Sequence, residues 1–261
     1  MIKIKRPKAP PLCLTTRGVD QTKKDCDDYD ACADEYRRGR KVFTIFDRNI
    51  YADASVKATL LDVHNGKCCY CEKKYIPANL HIEHFRPKKG VRQRRNQSDI
   101  RPGYFWLAYA WKNLLLACHQ CNSVYKKTLF PLANPRIRTR AAMSHHYDIK
   151  KEEPLFIDPS STDPRKHIRF RGASPVALSQ LGRTTIREIG LRNSPIVKEG
   201  RISRLNYLET FVEIIEAHKS DPANTKLRKL AVKARRVLTA ATRPEAEYSS
   251  MAQDYLKDRR P

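Results

Sequence analysis

A chain of 261 residues with 40% hydrophobic content can bury its own core in one or two domains without leaning on disulfides. Lys and Arg total 52 against 28 Asp and Glu, a formal charge of +24, so polyanions are the partners its field collects, nucleic acid ahead of an anionic membrane surface. No run approaches the length of a spanning helix, and the start MIKIKRPKAPPLCL lacks a secretory apolar core, which reads as a cytoplasmic chain with no membrane partner.

Residues 1–19, with Pro7, Pro10 and Pro11 among lysines, read as an extended arm. Residues 20–36 reverse the sign, with Asp20, Asp25, Asp27, Asp28, Asp30, Asp34 and Glu35 ahead of YRRGRK. That segment reads as loosely helical and solvated, or as a docking surface for a basic partner or for the chain's own basic groove. In DASVKATLLDVHNGK, Asp53 stands in capping position before a helical apolar spacing that stops at Gly66. This helix delivers the chain to GKCCYCEK, the first of two cysteine knuckles. A short strand at His81 to Phe85 follows, then a basic loop, an aromatic patch, the strand NLLLAC, the second knuckle LLACHQCN and a short polar helix.

Beyond about residue 150 the chain is polar and Pro-rich (KKEEPLFIDPSSTDP) and then helical to its end. Thr185 with Glu188 reads as a capping box and Gly190 as a stop. Leu205, Leu208, Phe211, Val212 and Ile215 form one apolar stripe, and Leu227, Leu230, Ala234, Val237 and Leu238 a second. Arg228, Lys229, Lys233, Arg235 and Arg236 cover much of the rest of that second helix, as a solvated face or as a contact with nucleic acid. The expected organisation is α+β: an N-terminal segment 1–50 that docks a partner, a metal-bearing domain 51–150, and a helical domain 151–261.

Cys68 with Cys71, and Cys118 with Cys121, repeat the two-residue spacing that lets two tight turns surround one tetrahedral Zn²⁺. A redox pair would occur once, beside a βαβ pattern, and neither pair has that setting. Cys13, Cys26, Cys32 and Cys69 read as ordinary small buried residues. A closed four-sulfur site offers no open position for chemistry. Between and after the knuckles, however, Glu83 offers a carboxylate and Asn122 an amide oxygen, donors that suit Mg²⁺ or Mn²⁺. His84 would then be the base, and Asn113, at the start of NLLLAC, would orient its ring.

In this order and between two knuckles, Lys67 to Leu132 resembles the HNH endonucleases of the ββα-metal type. The resemblance implies a small zinc-stabilised ββα-metal core embedded in a mostly helical chain. Matched residue by residue, it implies Glu83 and Asn122 as metal ligands, His84 as general base and Asn113 as its orienting partner. It also puts Lys126 where the family has a metal ligand or a phosphate-facing basic group. Two residues depart from the usual pattern: the first acid is Glu rather than Asp, and the third signature residue is Asn rather than His. CCYCEKKY, HIEHFRPK, YFWLAYAWKNLLLACHQCN, KKTLFPLANP, EEPLFIDP and TTIREIGLRNSPIVKEGR narrow the resemblance to HNH proteins of Septu-type and retron-associated anti-phage operons. That implies an ABC/SMC-like ATPase partner from the same operon.

Arg86, Lys88, Lys89, Arg92, Arg94, Arg95 and Arg101 lie in the loop joining the two strands and are expected along a sugar-phosphate track of DNA or RNA. Tyr104, Phe105, Trp106, Tyr109 and Trp111 are expected either to stack on bases or to form the small core, the core being the better reading for the two tryptophans. The competing reading of the whole is a non-catalytic, zinc-stabilised binding or scaffolding subunit.

Overall fold

A computed structural model describes residues 1–43, 45–139 and 148–259. Short helices α1 (Leu12–Thr15), α2 (Arg17–Ala31), α3 (Ala33–Arg37) and α4 (Arg48–Tyr51) lead to α5 (Ala54–Val63). As its sequence requires, α5 is capped by the Asp53 carboxylate, which accepts the Ser55 N–H at 2.9 Å, and it ends at Asn65 and Gly66, both at positive φ. Strands β1 (Leu80–His84) and β2 (Leu114–Cys118) form an antiparallel pair running from Leu80 opposite Cys118 to His84 opposite Leu114. All five residues of β2 are buried, as a Leu-Leu-Leu-Ala run covered on both faces must be. A second antiparallel pair, β3 (Ile168–Arg171) and β4 (Ser174–Ala177), precedes α6 (Gln180–Glu188), α7 (Pro195–Ser220), α8 (Thr225–Ala241) and α9 (Ser249–Lys257).

Several expectations change. The expected arm is extended only through residue 11 and is packed down: Met1 and Ile4 are buried, the Ile4 N–H donates to the Pro159 carbonyl at 2.8 Å, and helix begins at Leu12. The acidic stretch is packed as α2 and α3: Cys26, Tyr29, Ala33 and Tyr36 are buried at three- and four-residue spacing across the break at Cys32, and Tyr29 meets Phe105 at 5.2 Å between ring centres. Helix α6 starts at Ser179, whose hydroxyl accepts the Gly182 N–H. Thr185 is therefore interior to the helix, its hydroxyl accepting the Ile157 N–H at 3.0 Å, and the capping box does not form. The β3–β4 hairpin replaces expected helix. Ile168 and Phe170 point in, Arg169 and Arg171 point out, and Gly172 turns the chain at φ +55.

One continuous core of buried side chains runs from Met1 to Met251, so it crosses both expected boundaries, at 50/51 and at 150/151. A second, smaller cluster of Leu208, Leu238, Ala241, Ala252 and Tyr255 joins α7, α8 and α9.

The C-terminal helices are fastened to the first knuckle. The Lys67 ammonium donates to the Ala246 carbonyl at 2.9 Å, and the Tyr248 N–H to the Glu72 carbonyl at 3.3 Å. The Glu72 carboxylate accepts the Ser249 hydroxyl at 3.0 Å and also bonds the Ser250 hydroxyl and the Met1 amino group. These cations and hydroxyls hold the buried Glu72 carboxyl down at about 2 against the opposing effect of burial.

Candidate metal centre and adjoining site

Both knuckles stand on the β1–β2 pair. The Cys69 N–H donates to the Leu116 carbonyl at 2.9 Å, which lays the first knuckle on β2, while Cys118 ends that strand. The sulfurs of Cys68, Cys71, Cys118 and Cys121 all lie within 4.8 Å of one another, and all four residues are buried. The 3.9 Å between the Cys71 and Cys118 sulfurs is far beyond a disulfide bond, yet it matches the roughly 3.8 Å edge of a tetrahedron with metal–sulfur bonds of about 2.3 Å. Hydrogen bonding within the cluster draws the Cys118 thiol down and pushes its partner Cys121 up, the pattern of sulfurs sharing protons that a cation would displace. The other cysteines carry no disulfide, and Cys69 and Cys26 are buried in the core.

After Cys121 the chain makes a wide turn over Gln120–Lys126, closed by the Lys127 N–H donating five residues back to Asn122 at 2.7 Å. This π-helical turn aims Lys126 inward, where it is fully buried. Its ammonium stands 2.6 Å from the Glu83 carboxylate and donates to the His84 carbonyl at 2.9 Å. The Tyr70 hydroxyl reaches the same carboxylate oxygen at 3.4 Å. Burial raises the Glu83 carboxyl, with Lys126 opposing.

Strand neighbours alternate faces, yet Lys88 acts on both side chains: its charge draws on the buried Glu83 carboxylate and lies against the ring of His84. The His84 Nε2 lies 2.9 Å from the Ala108 carbonyl and its Nδ1 lies 3.0 Å from the Lys88 ammonium, with the Tyr51 ring edge-on at 4.9 Å. A carbonyl only accepts, so Nε2 carries the proton and Nδ1 presents the lone pair. Burial, then the Lys88 charge, holds this imidazole well below its ordinary value and therefore neutral. Lys88 sits 4.3 Å over the Tyr51 ring, and burial lowers it to about 7. A cleft of about 750 Å³ lined by Phe46, Arg48, Asn49, Tyr51, Lys88 and Lys89 opens beside it.

The expected hydrogen bond from Asn113 to the His84 ring is not made. Asn113 stands one residue before β2, its amide oxygen taking the Arg86 N–H at 2.7 Å and its amide nitrogen donating to the Arg86 and Leu107 carbonyls at 3.0 Å. It fixes the main chain on both sides of the site, next to the Ala108 carbonyl that holds the ring. Asn122 is half-buried in the wide turn, and among the described residues its amide enters none of the site's hydrogen bonds. The structure thus brings Glu83 to Lys126 and His84 to Lys88, with no direct contact joining the four expected residues.

The loop cations divide likewise. Arg86 donates to the buried Glu152 carboxylate at 3.1 Å, Arg92 to Asp99 at 2.7 Å and Arg95 to Glu188 at 2.8 Å, so these three brace the loop. Lys89, Arg94 and Arg101 are exposed. Tyr104, Phe105, Trp106, Tyr109 and Trp111 are all buried, which makes them core. Tyr51, Tyr70 and Ala108 have no signal in the sequence: two are lone aromatics and the third acts through its main chain.

The chain is similar to a Septu protein PtuB of Bacillus mycoides strain KBAB4, 36% identical over 160 residues, an alignment covering 60% of this chain and 53% of that protein. The chain therefore spans about half the length of this relative. A Septu protein PtuB of Bacillus thuringiensis is 24% identical over 80% of this chain and 70% of its own. A protein named as the candidate HNH endonuclease of the retron Vc95 of Vibrio cholerae is 26% identical over 63% of this chain and 68% of its own. No protein-family model matches, and no solved structure does.

Proposed function

We propose that this chain is an HNH-type, metal-dependent endonuclease that hydrolyses phosphodiester bonds, DNA before RNA, within an anti-phage assembly that includes an ATPase of the same operon. The observation that carries this reading is the Glu83–His84 pair closing a strand clamped by four cysteine sulfurs, with a buried Lys126 from the following turn countering the carboxylate. Similarity to the Septu and retron proteins supports the nuclease and the defence setting.

Zinc at the four sulfurs is structural in this reading. For a second, harder ion the donor types fit: a buried carboxylate already facing positive charge, and an amide oxygen in the adjacent turn. Glu83 and Asn122 would hold Mg²⁺ or Mn²⁺ there, with Lys126 yielding part of its place. Such an ion, when bound, supplies charge neutralisation at the scissile phosphate.

The protein's own groups supply the rest. The Ala108 carbonyl fixes the imidazole with Nδ1 as acceptor, and Asn113 keeps that stretch of main chain in position. In the structure Nδ1 is covered by the Lys88 ammonium. A phosphate entering the cleft beside Arg48 and Lys89 offers Lys88 a full negative charge, a stronger partner than a neutral imidazole. Lys88 then swings to the phosphate, and Nδ1 is free to take the proton of an attacking water.

The test is nicking of plasmid with Mg²⁺ by the purified chain and by His84→Ala, with binding followed by fluorescence anisotropy. Lost nicking with retained binding is the expected result. Cutting unchanged in His84→Ala would overturn it. One observation favours a second reading, a phosphate-binding module without catalysis: Glu83 and both ring nitrogens of His84 already have partners within the protein. That reading predicts binding with no cutting by the unsubstituted chain, alone or with its partner.

A further inference from the structure

Helix α8 is 17 residues of TKLRKLAVKARRVLTAA, with no Asp or Glu. Ala231, Ala234, Leu238 and Ala241 form its buried side. Lys226, Arg228, Lys229, Lys233, Arg235 and Arg236 are all exposed, and among the described residues none of these six has a carboxylate within 4.0 Å. Elsewhere on this surface cations are matched, Arg17 with Asp53, Lys23 with Asp27 and Arg40 with Glu35. Of the four acids on the neighbouring α7, Glu216 bonds Lys219 and Glu209 meets Arg259. Within α8, Lys226 with Lys229, Lys229 with Lys233, and Lys233 with Arg236 are like-charge neighbours at three- and four-residue spacing, which costs helix stability unless an anion offsets it. A merely solvated face would interleave acids.

This face is also held in a fixed relation to the metal centre. The segment after α8 is bonded to the first knuckle through Lys67 and Ala246, Lys74 and Glu247, and Glu72 and Ser249. The helix carries no aromatic side chain on which unpaired bases could stack, and no acid to repel a line of phosphates. Its charge therefore addresses a regular backbone. At about 1.5 Å per residue it is roughly 25 Å long, the span of about seven base pairs at 3.4 Å each.

We propose that the exposed face of α8 is a second, sequence-independent binding surface for the backbone of double-helical nucleic acid, extending the footprint beyond the Glu83–His84 site. The proposal rests on the nuclease reading above.

The experiment compares the full chain carrying His84→Ala with the same chain also carrying Lys229→Ala, Lys233→Ala and Arg236→Ala. Dissociation constants are measured by anisotropy on a 30-base-pair duplex, an 8-base-pair duplex and a 30-nucleotide single strand across a salt series, with circular dichroism confirming the helix. The expected result is at least a tenfold loss on the long duplex, with the slope of log K against log salt falling by about 2 to 3, near 0.9 per lost contact, and little change on the short duplex. Equal affinity and slope on the long duplex would overturn the proposal. So would a loss confined to capture of a protein partner with duplex binding intact. Cutting by the chain with native His84 is scored separately: if it cuts and binds the short duplex while the triple variant behaves as the parent, only the α8 proposal fails. If neither cutting nor any duplex binding occurs, the nuclease reading fails as well.

Discussion

At the scale of single residues, a main-chain carbonyl decides which nitrogen of His84 is free, and the proposed chemistry would depend on that choice. His84→Ala is expected to lower the nicking rate by about 10²- to 10⁴-fold, the usual contribution of a positioned base, measured as single-turnover cleavage at saturating protein. Lys88→Met separates masking from catalysis. With the ammonium gone, phosphate capture weakens and Nδ1 is uncovered, so KM is expected to rise about tenfold while kcat holds; a fall in kcat alone would make Lys88 a proton donor instead. Glu83 and His84 stand out in the sequence because an acid–histidine pair between knuckles is hard to explain otherwise. Their lysine partners, Lys126 and Lys88, are legible too, but the main-chain partner is not. The Ala108 carbonyl leaves no trace in residue type.

Among elements, the two knuckles and the strand pair are legible because metal spacing and a continuous apolar run are local signals. The burial of α2 and α3 and the β3–β4 hairpin are not, since aspartates outnumber the stripe of Cys26, Tyr29, Ala33 and Tyr36, and the Ile-Arg-Phe-Arg alternation spans only four residues. Cys118→Ser is expected to remove metal and cooperative folding of residues 68–126 together, because binding and folding are one free energy in such a centre. The readouts are metal content and loss of protection of those amides in hydrogen exchange. The end of α5 offers a pH test. Burial, with Arg6 nearby, holds the His64 imidazole at about 3 in the fold, against about 6.5 when unfolded. The unfolded chain takes the proton first, so stability is lost as pH falls from about 6.5 toward 3, by up to about 1.4 kcal/mol per unit. The urea midpoint should fall less between pH 7 and pH 5 in His64→Leu than in the parent.

For the molecule as a whole, a formal charge of +24 predicts binding that collapses with salt, and the ion pairs of Arg86, Arg92 and Arg95 temper that prediction by leaving three fewer cations to meet phosphate. The same pairs show why composition overstates a phosphate track: it counts charges without knowing which are matched. The basic helix, by contrast, is visible in both sequence and structure. What the sequence conceals is its attachment. Lys67, Glu72, Ser249 and Ser250 lie some 180 positions apart along the chain, and only the fold joins them.

The lid that Lys88 makes over the His84 lone pair also sets a sequence of events. Solvent alone meets an imidazole already engaged, so on the proposed nuclease reading a bystander ester would be left intact. On that reading, a polymer that draws the ammonium aside would release the nitrogen beneath it, so cutting would wait until the target is in hand.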